Sequence, residues 1–182
     1  MAELFREQYK FKGIHAKKVR ILTSVFHDAS KSKFFSRNVD VYLNAPIVGF
    51  LYGRTAALDH TKDPETNQVY NQNIMGDRVI YSSDELLFNF RLIMLLDKQY
   101  EPDVKKRIDK ALKHMGDDPN DIARFDSYVR GGVDVLYEKL IEDVSNVDEY
   151  YTRLYEFVEE FEERFNSDID NEDILKLCSK KS

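Results

Sequence analysis

Residues 86–96, LLFNFRLIMLL, place nine apolar side chains in eleven positions. A helix that is apolar on nearly every side has to be surrounded by other elements, so this stretch predicts the central core helix of a helical domain. Crossing a bilayer takes about 20 apolar residues in a row, and this run is interrupted by Asn89 and Arg91, so it does not read as a membrane span. Arg91, in the middle of the run, is expected to meet a buried carboxylate, because an unpaired charge there would be costly. Ser82 and Glu85 stand in the spacing of a capping box and mark where the helix starts.

Working outward toward the C-terminus, Pro102 opens a helix through Met115. Val104, Ile108, Ala111, Leu112 and Met115 form its inner face, Lys105, Lys106, Lys110 and Lys113 its outer face, and Gly116 its stop. Asp118 caps the next helix with Pro119 at its first position. The apolar face of that helix is Ile122, Phe125, Val129, Val133, Leu136, Leu140 and Val144. Gly131 and Gly132 interrupt it, which requires either a neighbour packed on the bare backbone or a bend. A last long helix begins at Asn146, three residues before Glu149. Val147, Tyr151, Leu154, Val158, Phe161 and Phe165 follow one another at steps of four and three, a short heptad seam. Residues 171–182 read as a short terminal helix or a frayed tail.

Toward the N-terminus, Val19, Leu22, Val25 and Phe26 recur on one side of a helix spanning His15 to Asp28. Residues 36–60 carry both a two-residue alternation through Val39, Val41 and Leu43 and a helical rhythm through Val39, Leu43, Ile47, Phe50 and Leu51. Length favours the helix, with Pro46 either kinking it or opening a second one. Gly49 and Gly53 would leave a smooth stripe for another backbone. Residues 59–82 are rich in Asp, Asn, Gln and Thr, and are read as one long polar surface loop, with Val79–Tyr81 extended and the loop itself a contact site. The expected fold is therefore all-α, a single domain over residues 1–182 built as a bundle of five to six helices with one long polar loop.

Composition agrees with a compact soluble chain: 182 residues, 42% apolar, 33% charged, 13% aromatic, with 7 Gly and 4 Pro. The single cysteine, Cys178, has no partner within the chain, and Met1–Arg20 has no leader pattern, so a cytoplasmic location without a membrane role is expected. The net charge of −6 hides two opposite halves, +6 over residues 1–56 and −12 over residues 57–182. Fields of opposite sign at two ends of a chain act locally on partners, on another copy, or on each other.

The histidines are the first candidates for chemistry. Taken in order, His15, the pair His27–Asp28 and Asp59 resemble in outline the ligand order of HD-type metal phosphohydrolases, which implies a metal that activates water. On one continuous helix, however, His15 and His27 would stand about 18 Å apart at 1.5 Å per residue, too far to share an ion. Asp168, Asp170 and Glu172 copy the first spacings of a calcium loop. Asp173 then stands at the glycine position and Ser179 at the bidentate glutamate position, so helix capping by Asp170 or Asn171 is the better reading. There is no Gly-rich phosphate loop and no nucleophile elbow, and no cofactor, metal set or catalytic set is assigned.

Three functional readings follow, in order. The first is a non-catalytic helical binding protein, an adaptor or accessory subunit of a larger complex. Its protein-binding face is Tyr150, Tyr155 and Phe157 with Glu156, Glu159 and Glu163; a homo-oligomer is compatible with the same features. The second is a nucleic-acid-associated protein in a bacterial or phage defence or counter-defence assembly. It would touch phosphates through Lys10, Lys12, Lys17, Lys18, Arg20, Lys31, Lys33 and Arg37, with Tyr9, Phe11, Phe34 and Phe35 available to stack on bases. The third is the metal-dependent phosphohydrolase.

Overall fold

The computed structural model describes residues 4–165. The expectations for residues 166–182, including the calcium-like spacing, the terminal helix and Cys178, lie outside the described residues. The chain is mostly helical, as expected. Among the described residues there are seven helices rather than five or six, together with a two-stranded antiparallel sheet.

The elements in order are β1 (Tyr9–Lys12), α1 (Gly13–Leu22), α2 (Asn38–Leu51), β2 (Asn71–Ile74), α3 (Gly76–Tyr81), α4 (Ser83–Leu96), α5 (Val104–Leu112), α6 (Pro119–Leu140) and α7 (Val147–Phe165). The centre of the molecule is the α2–α6 pair, not the apolar run of α4. An added β-carbon on Gly49 of α2 would overlap the Tyr128 carbonyl, and one on Gly132 of α6 would overlap the Ala45 carbonyl. The two backbones therefore touch, which is why α6 runs unbroken through Gly131 and Gly132. Gly53 has a different role from the predicted stripe. It sits just past the end of α2 with φ +62, and its amide bonds to Phe50 O (3.0 Å) while that of Arg54 bonds to Gly49 O (2.7 Å). This is the Schellman stop that satisfies the last carbonyls of a helix. Residues 38–51 are thus one helix with Pro46 inside it, which resolves the strand-or-helix ambiguity.

Helix α1 ends at Leu22 rather than Asp28. The Thr23 hydroxyl donates to Val19 O (3.0 Å), and both the hydroxyl and the amide of Ser24 donate to Ile21 O (2.7 and 3.0 Å), the carbonyl that Val25 N would take in a further turn. The segment expected as a loop is largely structured. Tyr70 N bonds to Thr61 O and Asp63 N to Gln68 O, closing a hairpin, and β2 and α3 follow it. Val79 is buried within α3, so the expected extended piece at Val79–Tyr81 is helical.

Strand β1 pairs with β2 in the register Tyr9–Ile74, Lys10–Asn73, Phe11–Gln72 and Lys12–Asn71. Two strands of four residues are marginal on their own, and the burial of Phe11 and Ile74 on the core side holds this ribbon in place. Caps fix the remaining starts. The Asp103 carboxylate accepts from the amides of Lys105 and Lys106, that of Asp118 accepts from Asn120 N with Pro119 first in α6, and Asn146 Oδ1 accepts from Glu149 N at the head of α7. The predicted Ser82–Glu85 box does not form. Ser82 is the residue at which α3 runs into α4, its side chain makes no cap, and its carbonyl accepts from Leu86 N.

Candidate interaction surfaces

Helix α4 buries Leu86, Asn89, Phe90, Ile93 and Met94, and Asn89 Nδ2 donates to the Leu43 carbonyl (2.7 Å). Its remaining apolar residues are not enclosed. On α5 the inner face is Arg107 and Ala111, so Val104, Ile108 and Leu112, predicted inside, face outward. Arg107 displaces them because its guanidinium reaches three main-chain carbonyls. Nε donates to Leu95 O (2.9 Å), and Nη1 donates to Glu101 O (2.8 Å) and Pro102 O (2.9 Å). Leu95 O is one of the carbonyls that the end of α4 leaves without a helical partner, and Glu101 O and Pro102 O belong to the connection that leads into α5. Among the described residues Arg91 meets no carboxylate; its Nε donates instead to Met115 Sδ (3.1 Å).

The contacts Leu95–Arg107 and Arg91–Met115 run α4 and α5 antiparallel. Helix positions advance about 100° per residue, which puts Phe88, Leu92 and Leu96 one step clockwise of the α4 contact line, and Val104, Ile108 and Leu112 one step clockwise of the α5 line. Rotation in the same sense on antiparallel neighbours leads to the same side of the pair. The six residues therefore form one continuous two-helix apolar face, in which Phe88, Leu96, Val104, Ile108 and Leu112 are between 43% and 63% exposed. Lys105 stands exposed beside it, whereas Lys106 and Lys110 line a cleft on the other side of α5 with Asp109, His114 and Asp118, where Lys110 reaches Asp118 (3.3 Å) and Asp121 (2.6 Å).

Helix α7 lies on the outside of the molecule and buries no residue completely. Of the six residues proposed for protein binding, Tyr155, Glu156, Glu159 and Glu163 are exposed. Tyr150 and Phe157 face the chain itself. Tyr150 lies 4.9 Å from the ring of Phe26, and Phe157 stacks on Tyr52 at 6.4 Å. Glu160 fixes the helix from below, accepting from Lys139 Nζ (2.6 Å) and the Tyr52 hydroxyl (3.2 Å). Burial and the neighbouring Glu160 carboxylate push the Tyr52 hydroxyl up to about 12. The heptad seam splits: Phe161 and Phe165 turn toward Phe157, Tyr151 sets its ring edge-on to Phe26 (5.5 Å) with its hydroxyl by Ser32 (3.0 Å), and Leu154 and Val158 join Tyr155 as exposed apolar residues. Sequence periodicity located the apolar positions, but not which of two adjacent faces docks.

The cations of the second reading fall into separate groups. Lys10 and Lys12 lie on the outer side of β1, and Lys17 and Arg20 on α1, beside the hairpin of residues 61–70. Lys17 sits over the Tyr70 ring at 5.1 Å. Lys18 is turned inward to Asp134 (2.6 Å) and lies over Tyr137. Arg37 pairs with Asp40 (2.6 Å) and Lys31 with Asp28 (3.5 Å), and Lys33 is exposed. Tyr9 and Phe11 pack into the core cluster rather than standing free to stack on bases.

The histidine series does not converge. His15 is buried against Asp134, with Nε2 at 3.5 Å from the carboxylate. His27 lies instead beside the Tyr151 hydroxyl (3.2 Å) and Ser30 (2.9 Å). Among the described residues no group of three His, Cys, Asp or Glu is placed to hold a metal ion, so the phosphohydrolase outline fails on geometry. The most perturbed carboxyl is Asp126, which burial pushes up to about 6 against the opposing pull of Arg130 and the Tyr9 hydroxyl. Among the described residues it lines a cleft of about 520 Å³ with Arg6, Glu7, Tyr9, Tyr42, Phe90 and Phe125. No helix of the described residues is long and apolar enough to cross a membrane. Comparison with protein-family models, curated proteins and solved structures finds no match to the chain.

Proposed function

We propose that this chain is a non-catalytic helical binding protein, an adaptor or accessory subunit of a larger cytoplasmic complex. The observation that carries the reading is the α4–α5 face, where Phe88, Leu96, Val104, Ile108 and Leu112 stand together in solvent. Apolar side chains scattered singly on a surface are ordinary, whereas a continuous rimmed patch of this kind is characteristic of a surface that docks a partner. Photo-crosslinking in the native cell, with the reactive group at Ile108 or Leu112 and a polar control at Asp77, tests it. A discrete crosslinked protein from the two face positions and none from Asp77 is the expected result. Absence of any crosslinked protein from the face would sink the reading.

The second reading, nucleic-acid binding, is supported by the grouping of Lys10, Lys12, Lys17 and Arg20 around the 61–70 hairpin. Asp63 and Glu65 share that surface and oppose it. Phosphate contacts would make affinity fall steeply with salt, so a mobility-shift titration over ionic strength separates the two readings.

A further inference from the structure

We infer that the cleft beside Asp126 is a binding site for a small organic cation, an ammonium group carried on an apolar body, with the Asp126 carboxylate as its counter-charge. The inference goes beyond the binding-protein reading and uses none of the residues of the α4–α5 face, so either can fail without the other.

Three features coincide in this cleft. Its volume, about 520 Å³, lies within the range of about 300–1,000 Å³ that small-molecule sites occupy. Its walls are aromatic. Tyr9 and Tyr42 stack at 4.0 Å, Phe90 lies 5.7 Å from Phe125, and Phe5 sets its ring 5.6 Å from Phe125 and 6.4 Å from Phe90 and Tyr42. Phe5 also belongs to the segment 4–8 that forms one side of the cleft, and it holds a left-handed backbone with φ +60. A bulky residue keeps that conformation only where its surroundings fix it, and strain fixed in this way is characteristic of segments that clamp a ligand.

The third feature is the charge. Among the described lining residues, Arg6 and Glu7 stand exposed with opposite signs, and Asp126 is the charged group that the fold shelters from water. The Tyr9 hydroxyl donates to its carboxylate. Arg130 attracts it through space, with its own Nε given to the Ala56 carbonyl (2.9 Å). Burial outweighs both and pushes the carboxyl up to about 6, the mark of a negative charge short of compensation. The Tyr42 hydroxyl, raised by burial and by Tyr9 and Asp126, adds no charge at neutral pH. Near neutral pH the Asp126 carboxylate is mostly ionised. An anion in the cleft would meet like charge, and a neutral molecule would bury the carboxylate further without pairing it. A cation supplies the missing charge while the rings enclose its apolar body.

Amide chemical-shift mapping on the full chain tests this with probes that share one body: phenethylamine as the cation, phenethyl alcohol as the neutral form and phenylacetate as the anion. Benzyltrimethylammonium serves as a second cation. At about pH 8 both cations are expected to shift the amides of Phe5, Tyr9 and Asp126, and the neutral and anionic probes to bind at least roughly tenfold more weakly. Lowering the pH to about 5 protonates Asp126 and should weaken the cations roughly tenfold, as should Asp126→Asn at the higher pH. Ile122, on the rim and 37% exposed, supplies a pair of variants that leave Asp126 in place. Ile122→Glu should tighten cation binding and Ile122→Lys should loosen it. Circular dichroism equal to the parent confirms that each variant folds, and the Ile122 pair decides the matter if Asp126→Asn does not. Failure of both cations to shift these amides at about 10 mM overturns the inference. So does an equal response to phenethyl alcohol, an affinity unchanged in Asp126→Asn or indifferent to pH, or Ile122 variants that leave cation binding where it was.

Discussion

The Ala45 carbonyl of α2 occupies the space where a β-carbon on Gly132 of α6 would stand. Two effects oppose each other in Gly132→Ala. Alanine favours a helix interior by about 0.5–1 kcal/mol over glycine, while the overlap is with main chain, which has no rotamer to move into. The overlap wins, and Gly132→Ala is expected to destabilise the fold by about 1–3 kcal/mol in denaturant unfolding. Gly49→Ala meets the Tyr128 carbonyl and should behave the same way. A Gly132→Ala protein as stable as the parent would show that the α2–α6 crossing is looser than described.

Asp97 is buried at the end of α4, where its carboxylate accepts from Arg124 Nε (2.8 Å), the Tyr128 hydroxyl (2.9 Å) and Tyr100 N (3.1 Å). Burial alone would raise its pKa; the three donors outweigh burial and hold it below the ordinary 3.8. A depressed acid stabilises the folded state at neutral pH, and that contribution is lost as pH falls below about 4 through the folded value. Asp97→Asn is expected to cost about 1.5–3 kcal/mol at neutral pH, the usual worth of hydrogen bonds to a charged group. The gap from the parent should close in acid, measured by urea unfolding across pH.

Asp126 carries the opposite sign. Its value in the folded chain, about 6, lies above the ordinary 3.8, so the folded state holds the proton more tightly than the unfolded one. The parent therefore loses stability as pH rises from about 4 through 6 and levels off above. Asp126→Asn removes this dependence, and its advantage over the parent should grow across that interval. A carboxyl resonance titrating near 4 would contradict the assignment.

The faces of α5 and α6 predict contrasting costs for the same chemistry. Leu136→Ala removes a side chain 1% exposed and is expected to cost about 2–5 kcal/mol. Leu112→Ala, at 52% exposed, should stay within about 0.5 kcal/mol of the parent. Equal costs would mean that Leu112 is enclosed after all.

On α7 the corresponding contrast is between Phe157 and Tyr155. Phe157→Ala loses the stack on Tyr52 and the packing against Phe161, so amide exchange over α7 should accelerate. Tyr155→Ala touches an exposed ring and should leave that exchange unchanged.

Much of the architecture was legible in the residues themselves. The helical class, the caps at Asp118 with Pro119 and at Asn146 with Glu149, and the choice between a close neighbour and a bend at Gly131 and Gly132 all follow from local rules. They depend on groups within a few positions of one another. The strand at Tyr9–Lys12 has its own local signal, since Tyr9 and Phe11 alternate with Lys10 and Lys12 at a period of two, but the same four residues equally suit a mixture of cations and aromatics for nucleic acid.

What periodicity left open is the direction each apolar face points. A helix with apolar residues on two adjacent stripes can bury either one, and the choice belongs to the neighbours. On α5 the guanidinium of Arg107 takes the inner position because the last turn of α4 and the connection after it present carbonyls that need donors, and Ile108 is turned into solvent. On α7 the ring of Tyr52 and the pair Lys139–Glu160 select Phe157 for the inside, leaving Tyr155 outside. Helix rhythm is a property of neighbouring residues and can be read along the chain. Which side of a helix meets water is set by acceptors, cations and rings brought in from 12 to more than 100 residues away, and only the folded arrangement supplies them.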